Sequence, residues 1–108
     1  MINVEEYLAA NGRSPFAEWL HEIRDRQVRS RIMVRINRLR LGNFGDCKPV
    51  GDGVFELRMM FGSVYRVYFA RKGESVVLLL CGGDKGTQDA DIARAKQYWH
   101  EHRSQSHG

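Results

Sequence analysis

Hydrophobic and polar positions divide the chain into segments of distinct period. Gly53–Met60 reads G-V-F-E-L-R-M-M. A strand there turns Phe55, Leu57 and Met59 to one face and Glu56 and Arg58 to the other. Val64–Ala70 reads V-Y-R-V-Y-F-A, and the same alternation sets Tyr65, Val67 and Phe69 against Arg66 and Tyr68. Phe61-Gly62-Ser63 between them reads as a hairpin connection. The pair is expected to form an antiparallel sheet with one apolar face and one open face that presents Arg58, Arg66 and Tyr68. Guanidinium groups beside a phenol on such a face suit a phosphodiester.

Helical spacing dominates elsewhere. Ser14-Pro15 supplies a capping hydroxyl and a helix-compatible proline before a stripe of Phe16, Trp19, Leu20 and Ile23. Val28, Ile32, Ile36 and Leu39 mark a second amphipathic helix, ended by Gly42-Asn43. Asn43–Asp52 contains Gly45, Pro49 and Gly51 and reads as a loop. The unbroken Val-Val-Leu-Leu-Leu within Ser75–Cys81 predicts a central strand buried on both faces. Thr87 is placed to cap a last helix lined by Ile92, Ala95 and Trp99. Met1–Leu8 fits either a short edge strand or a helical turn. Residues 100–108 read as a polar, frayed tail.

Composition narrows the class. At 108 residues and 12.5 kDa, residues 1–108 are expected to form a single domain with a real core. No apolar run approaches the roughly 20 residues that span a bilayer. No basic-then-apolar leader is visible, so a cytoplasmic location without membrane attachment is expected. Cys47 and Cys81 lack metal-ligand spacing and read as free thiols. The net charge of +4 favours an acidic partner. Seven arginines lie between Arg24 and Arg40, opposed within that interval by Asp25 alone. That segment is either a solvated helix face or a surface for nucleic acid or an acidic protein.

Most catalytic signatures are missing. G-x-S-x-G, H-E-x-x-H, C-x-x-C and the Walker phosphate loop do not occur, and Gly82-Gly83-Asp84-Lys85-Gly86 is too short for a phosphate loop. Cys81, in an apolar strand, reads as inert core.

Three blocks carry a resemblance. The first is Gly12-Arg13-Ser14-Pro15-Phe16 with Trp19. The second runs from Leu41-Gly42-Asn43-Phe44-Gly45-Asp46 through Lys48-Pro49-Val50-Gly51-Asp52-Gly53-Val54 to Glu56-Leu57-Arg58. The third is Tyr65-Arg66-Val67-Tyr68-Phe69, then Leu79-Leu80-Cys81-Gly82-Gly83-Asp84-Lys85, then Asp91-Ile92-Ala93-Arg94-Ala95-Lys96. Together they resemble toxins of bacterial type II toxin–antitoxin modules in the RelE/ParE superfamily, nearest the HigB-like, phage-related addiction module killer proteins.

The resemblance implies an α+β fold, RelE-like, with two N-terminal helices packed on one face of a small twisted antiparallel sheet and a C-terminal helix after the last strand. It implies a ribosome-dependent mRNA endonuclease that inhibits translation by metal-independent attack of a ribose 2′-hydroxyl on the adjacent phosphate, with no metal or organic cofactor required. Its partners would be the ribosome, mRNA and a cognate antitoxin, expected to be a helix-turn-helix protein through which alone it would reach operator DNA. Arg66 matches the arginine on the scissile phosphate, Arg58 the basic residue after Leu in the strand motif, and Lys85 a basic residue at the end of the last strand. Tyr68 joins them as a candidate catalytic residue and Lys48 as an RNA-binding cation. Glu56 stands where RelE has lysine, and Thr87, Gln88 and Asp89 occupy the neighbourhood of its missing tyrosine. Glu56 and Tyr68 are candidates for proton transfer, and the general base is left unassigned. The alternatives are a ParE-like inhibitor that binds DNA gyrase without catalysis, or an inactive prophage-derived relative.

Overall fold

The local signals for helix ends are satisfied in the computed structural model, which describes residues 1–105. The elements run β1 (Asn3–Glu6), α1 (Pro15–Glu22), α2 (Arg26–Arg40), β2 (Cys47–Gly51), β3 (Val54–Phe61), β4 (Ser63–Lys72), β5 (Val76–Gly83) and α3 (Gln88–Gln105). Ser14 Oγ accepts the Ala17 amide at 3.1 Å, with Pro15 in the first turn where its missing N–H costs nothing. Asp25 Oδ1 accepts the Gln27 amide at 2.9 Å and opens α2. Gly42, at φ 80°, closes α2 by donating to Leu39 O.

The five strands form one sheet in the order β1-β5-β4-β3-β2. β1 pairs with β5 in parallel and every other pairing is antiparallel, so the sheet is mixed rather than antiparallel as expected. The ambiguous N-terminus is therefore an edge strand. β5 is an interior strand between β1 and β4, next to the middle one, and Val77–Cys81 is buried throughout, as its unbroken apolar run predicts.

β2 corrects the reading of Asn43–Asp52 as a loop. Pro49 argues against a strand, yet it is accommodated because β2 is the outermost strand and its register shifts between Pro49 and Gly51. The expected tail from residue 100 is helical as far as Gln105; its remainder, 106–108, lies outside the described residues.

Both faces of the sheet are covered. α1 and α2 bury Phe16, Ile32, Ile36 and Leu39 against Leu57, Val67, Phe69 and Leu79. Each such side chain contributes about 1.5–3 kcal/mol when taken fully from water. α3 buries Ala95 and Trp99 against Tyr7, Val54, Tyr68 and Leu80 on the opposite face. A bulge in β5 makes this second core possible. Tyr68 faces Cys81 while Phe69 faces Leu79, so Leu80 and Cys81 both turn toward α3. The expectation of an open sheet face therefore fails at Tyr68, which is wholly buried.

The arginines of the second helix are largely engaged. Arg29 Nη1 donates to the carbonyls of Ile23 and Arg24 and so caps the end of α1. Arg31 lies over the Phe61 ring, 5.7 Å from its centroid, and Arg35 donates to Arg58 O at 3.2 Å. Three guanidinium groups thus tie α2 to its surroundings, while Arg40 is bonded to Asn37 on the helix itself. Arg24, Arg26 and Arg38 are exposed and have no such tie.

Candidate active site

Strand register brings the sequence-derived candidates to one corner of the sheet. Arg58 on β3 lies opposite Arg66 on β4, Glu56 opposite Tyr68, and Lys48 on β2 opposite Glu56. Paired residues in antiparallel strands share a face, and this is the face that α3 covers. Arg66 in turn faces Gly83, the last residue of β5. The chain leaves the sheet there for the Asp84–Thr87 connection to α3.

Glu56 is the hub of the corner and only 1% exposed. Its Oε2 accepts the Tyr68 hydroxyl at 3.1 Å and the Gln88 side-chain amide at 2.9 Å. Its Oε1 lies 3.8 Å from both Lys48 Nζ and Arg66 Nε, close enough for charge attraction but too long for a hydrogen bond. Two cations flanking one buried carboxylate offset its desolvation.

Tyr68 is held as a phenol. Burial comes first and the Glu56 charge second in driving its pKa upward, and its proton is already directed at Glu56. It supports the corner from beneath rather than presenting its hydroxyl to solvent.

Arg66 and Lys85 meet at a groove. Its volume is about 870 Å³, and it runs between the β3–β4 turn (Gly62, Ser63, Val64) and the start of α3 (Thr87, Gln88). The Arg66 side chain is 16% exposed, with its Nε buried and lacking a hydrogen bond. Lys85 is exposed and forms no ion pair among the described residues. A planar fork and a flexible point charge on one groove form a fitting anchor for a phosphate.

The other two cations stand apart. Arg58 is outside the groove lining and donates from Nε to Asp46 Oδ2 at 2.8 Å, with half its side chain exposed. Lys48 projects to solvent from the edge strand beside Glu56. Of the expected residues, the fold joins Arg66 with Lys85, links Lys48 and Tyr68 to Arg66 through Glu56, and leaves Arg58 paired with an acid.

Gln88 is the residue that sequence reasoning missed. At the first position of α3 it looks like helix-start chemistry, and its bond to Glu56 spans 32 positions of sequence. The neighbouring Asp91 is also buried. It accepts the Thr87 hydroxyl at 2.6 Å and Arg94 Nη2 at 2.5 Å, and presses against Gly83 where a β-carbon would overlap it. These contacts seat α3 beside the groove.

Cys81 is buried and its thiol is pushed up to about 12, first by desolvation, so no nucleophile is available there at neutral pH. Among the described residues no three His, Cys, Asp or Glu side chains converge as a metal site. No helix among them is long and apolar enough to cross a membrane.

Comparison with known proteins places the chain. The family described as "Phage derived protein Gp49-like (DUF891)" matches residues 18–100, which include every member of the corner. A protein of Haemophilus influenzae (strain Rd), itself named only as an uncharacterized protein, is 51% identical over 81 residues, covering 75% of this chain and 82% of the relative. With most of its length matched in this way, the chain belongs to the Gp49-like family of phage-derived proteins.

Proposed function

We propose that this protein is the toxin of a type II toxin–antitoxin module and that it cleaves mRNA on the ribosome. The observation that carries the reading is the convergence of Arg66 and Lys85 on one groove, with Arg66 backed by the buried Glu56. The Gp49-like membership and the three sequence blocks support it from a separate direction.

In the proposed reaction a ribose 2′-oxygen forms a bond to the neighbouring phosphorus, and the bond to the 5′-oxygen breaks. The 2′-hydroxyl proton leaves to a base and the departing 5′-oxygen gains a proton, giving a cyclic phosphate and a free 5′-hydroxyl. Charge accumulates on the phosphorane oxygens, where a bidentate guanidinium and an ammonium stabilise the transition state most. Arg66 and Lys85 take that role. Arg58 and Lys48, further along the same face, hold flanking phosphates, and Arg58 exchanges Asp46 for RNA on binding. Tyr68 acts through Glu56 and does not touch substrate.

The protein works in the cytoplasm with ribosome and mRNA as partners. A cognate antitoxin neutralises it, aided by charge complementarity with the unengaged Arg24, Arg26 and Arg38. Operator DNA is reached only through that antitoxin.

The test is primer extension on cellular mRNA after induction of the toxin, paired with an assay of plasmid supercoiling. Cuts positioned by codon, with supercoiling unchanged, support the reading. Intact messages with relaxed plasmid replace it with inhibition of DNA gyrase by binding.

A further inference from the structure

The carboxylate of Glu56 gathers four side chains among the described residues, and no proton transfer has been assigned to it. It lies on β3, where Lys48 of β2, Tyr68 and Arg66 of β4 and Gln88 of α3 reach it from two strands and one helix. Two functions fit a buried glutamate beside an RNA-cleaving groove. It either takes the proton of the 2′-hydroxyl, or it holds the cations that meet the phosphate.

The contacts separate these. A general base must come within hydrogen-bond reach of the proton it removes, directly or through one water. Glu56 is 1% exposed, and two donors already occupy Oε2. Oε1 faces Arg66 Nε and Lys48 Nζ, each at 3.8 Å, so both carboxylate oxygens are turned to protein groups. Arg66 lines the groove while its Nε is buried on the Glu56 side, so the atoms left to receive a phosphate are the Nη nitrogens. With no hydrogen bond at Nε, the orientation of that fork depends on the charge of Glu56 rather than on a single bond.

We propose that Glu56 is a positioning residue: its buried charge, fixed by Tyr68 and by Gln88 of α3, turns the Arg66 fork into the groove, and it is not the general base. The inference rests on the reading of the groove as a phosphodiester site. Seating of α3 thereby becomes a condition for cleavage, because Gln88 belongs to its first turn.

The experiment compares full-length wild type, Glu56→Gln, Glu56→Asp and Gln88→Ala by two readouts. The first is the Arg66 Nε–Hε resonance by nitrogen-15 NMR on the protein alone. The second is cleavage of ribosome-bound mRNA across pH, with binding of an oligonucleotide carrying a 2′-deoxy sugar at the cut site. Expected are a sharp, slowly exchanging Arg66 signal in wild type and its broadening in Glu56→Gln. Expected too is a fall of up to about 100-fold in kcat, the scale of misplacing a group by about 1 Å. Binding of the deoxy oligonucleotide stays within about threefold and the pH–rate profile keeps its shape. Glu56→Asp restores part of the rate, and Gln88→Ala gives a smaller loss of the same kind. If Glu56→Gln fails to fold, Gln88→Ala decides alone: a parent-like Arg66 signal and parent-like kcat overturn the proposal. So does a Glu56→Gln enzyme that loses the rising limb of its pH profile, which identifies Glu56 as the base. A wild-type protein that shows the protected Arg66 signal but never cuts RNA sinks the endonuclease reading and leaves the positioning of Arg66 standing.

Discussion

The indole of Trp19 fills the space over Gly82 that a β-carbon would need, so α1 sits against β5 only because that position has no side chain. Gly82 is not at positive φ, and the requirement is for room rather than for an unusual backbone. Gly82→Ala is expected to force the ring aside and cost about 1–3 kcal/mol. Urea denaturation of the pair measures it, and an unchanged midpoint would show that α1 shifts freely.

Removal of Arg66 has two consequences that equilibrium and kinetic measurements separate. Arg66→Ala is expected to reduce mRNA cleavage by about 10²–10³-fold, the usual loss when a preorganised donor to a developing charge is deleted. It also strips Glu56 of one of its two cations, so a stability loss of about 1–3 kcal/mol accompanies it. Arg66→Lys keeps a charge near Glu56 and recovers stability, but it lacks the planar fork and restores little cleavage. Calorimetry beside a cleavage assay distinguishes the two effects.

Lys85 offers the cleaner case. It is exposed and carries no ion pair among the described residues, so Lys85→Ala is expected to leave stability within about 0.5 kcal/mol of the parent. Cleavage, by contrast, is expected to drop at least about tenfold. A variant as toxic as the parent on induction would remove Lys85 from the site.

Alkaline titration probes the second core. Tyr7 donates its hydroxyl to Glu101 at 2.8 Å, and burial, then that bond and the Glu101 charge, raises its pKa from 10.0 to about 12. An acid whose folded pKa is raised favours the fold while it keeps its proton. Its contribution is full below about pH 10 and is lost as pH climbs toward 12. Cys81 falls away in an overlapping range. Unfolding free energy measured from pH 9 to 12 is expected to slope downward, and Tyr7→Phe is expected to make the part that begins at pH 10 less steep, the buried Tyr68 and half-buried Tyr98 supplying the rest.

Cys81→Ser swaps a buried thiol, whose sulfur lies 3.7 Å from Asp91 O, for a hydroxyl that needs a firmer partner. A stability loss of about 1–3 kcal/mol with unchanged cleavage is expected. Cleavage is likewise expected to persist in excess chelator. A chelator-sensitive reaction would call for a metal that the proposed chemistry does not include.

Features governed by neighbours in sequence are readable from the sequence alone. The Ser14-Pro15 start, the Val28–Leu39 stripe and the apolar run of β5 all declare themselves within one turn or one strand. β2 was hidden because Pro49 is a breaker in the interior of a sheet and harmless on its rim, and sequence does not say which strand is outermost. The occlusion of Tyr68 was hidden for another reason. Alternation shows that Glu56 and Tyr68 share a face, but a polar residue on that face looks the same whether it meets water or another buried polar group. The bulge that turns Leu80 and Cys81 together toward α3 decided the matter, and a single extra residue leaves no trace in a uniformly apolar segment. Strand alternation and the family's blocks both name Arg66, and the blocks name Lys85; their shared groove and the part played by Gln88 require the tertiary structure.

The two outer strands carry one more implication. β2 exposes Lys48, Pro49 and an irregular register along one rim of the sheet. β1, at the other rim, is four residues long, with Glu5 bonded to Lys72 and Glu6 exposed. A proline, a break in register, a short strand and charged side chains each discourage an incoming chain from hydrogen-bonding to a rim. Copies of this protein are thereby discouraged from joining sheet to sheet into fibrils, which leaves helices and loops as the favoured ground for association.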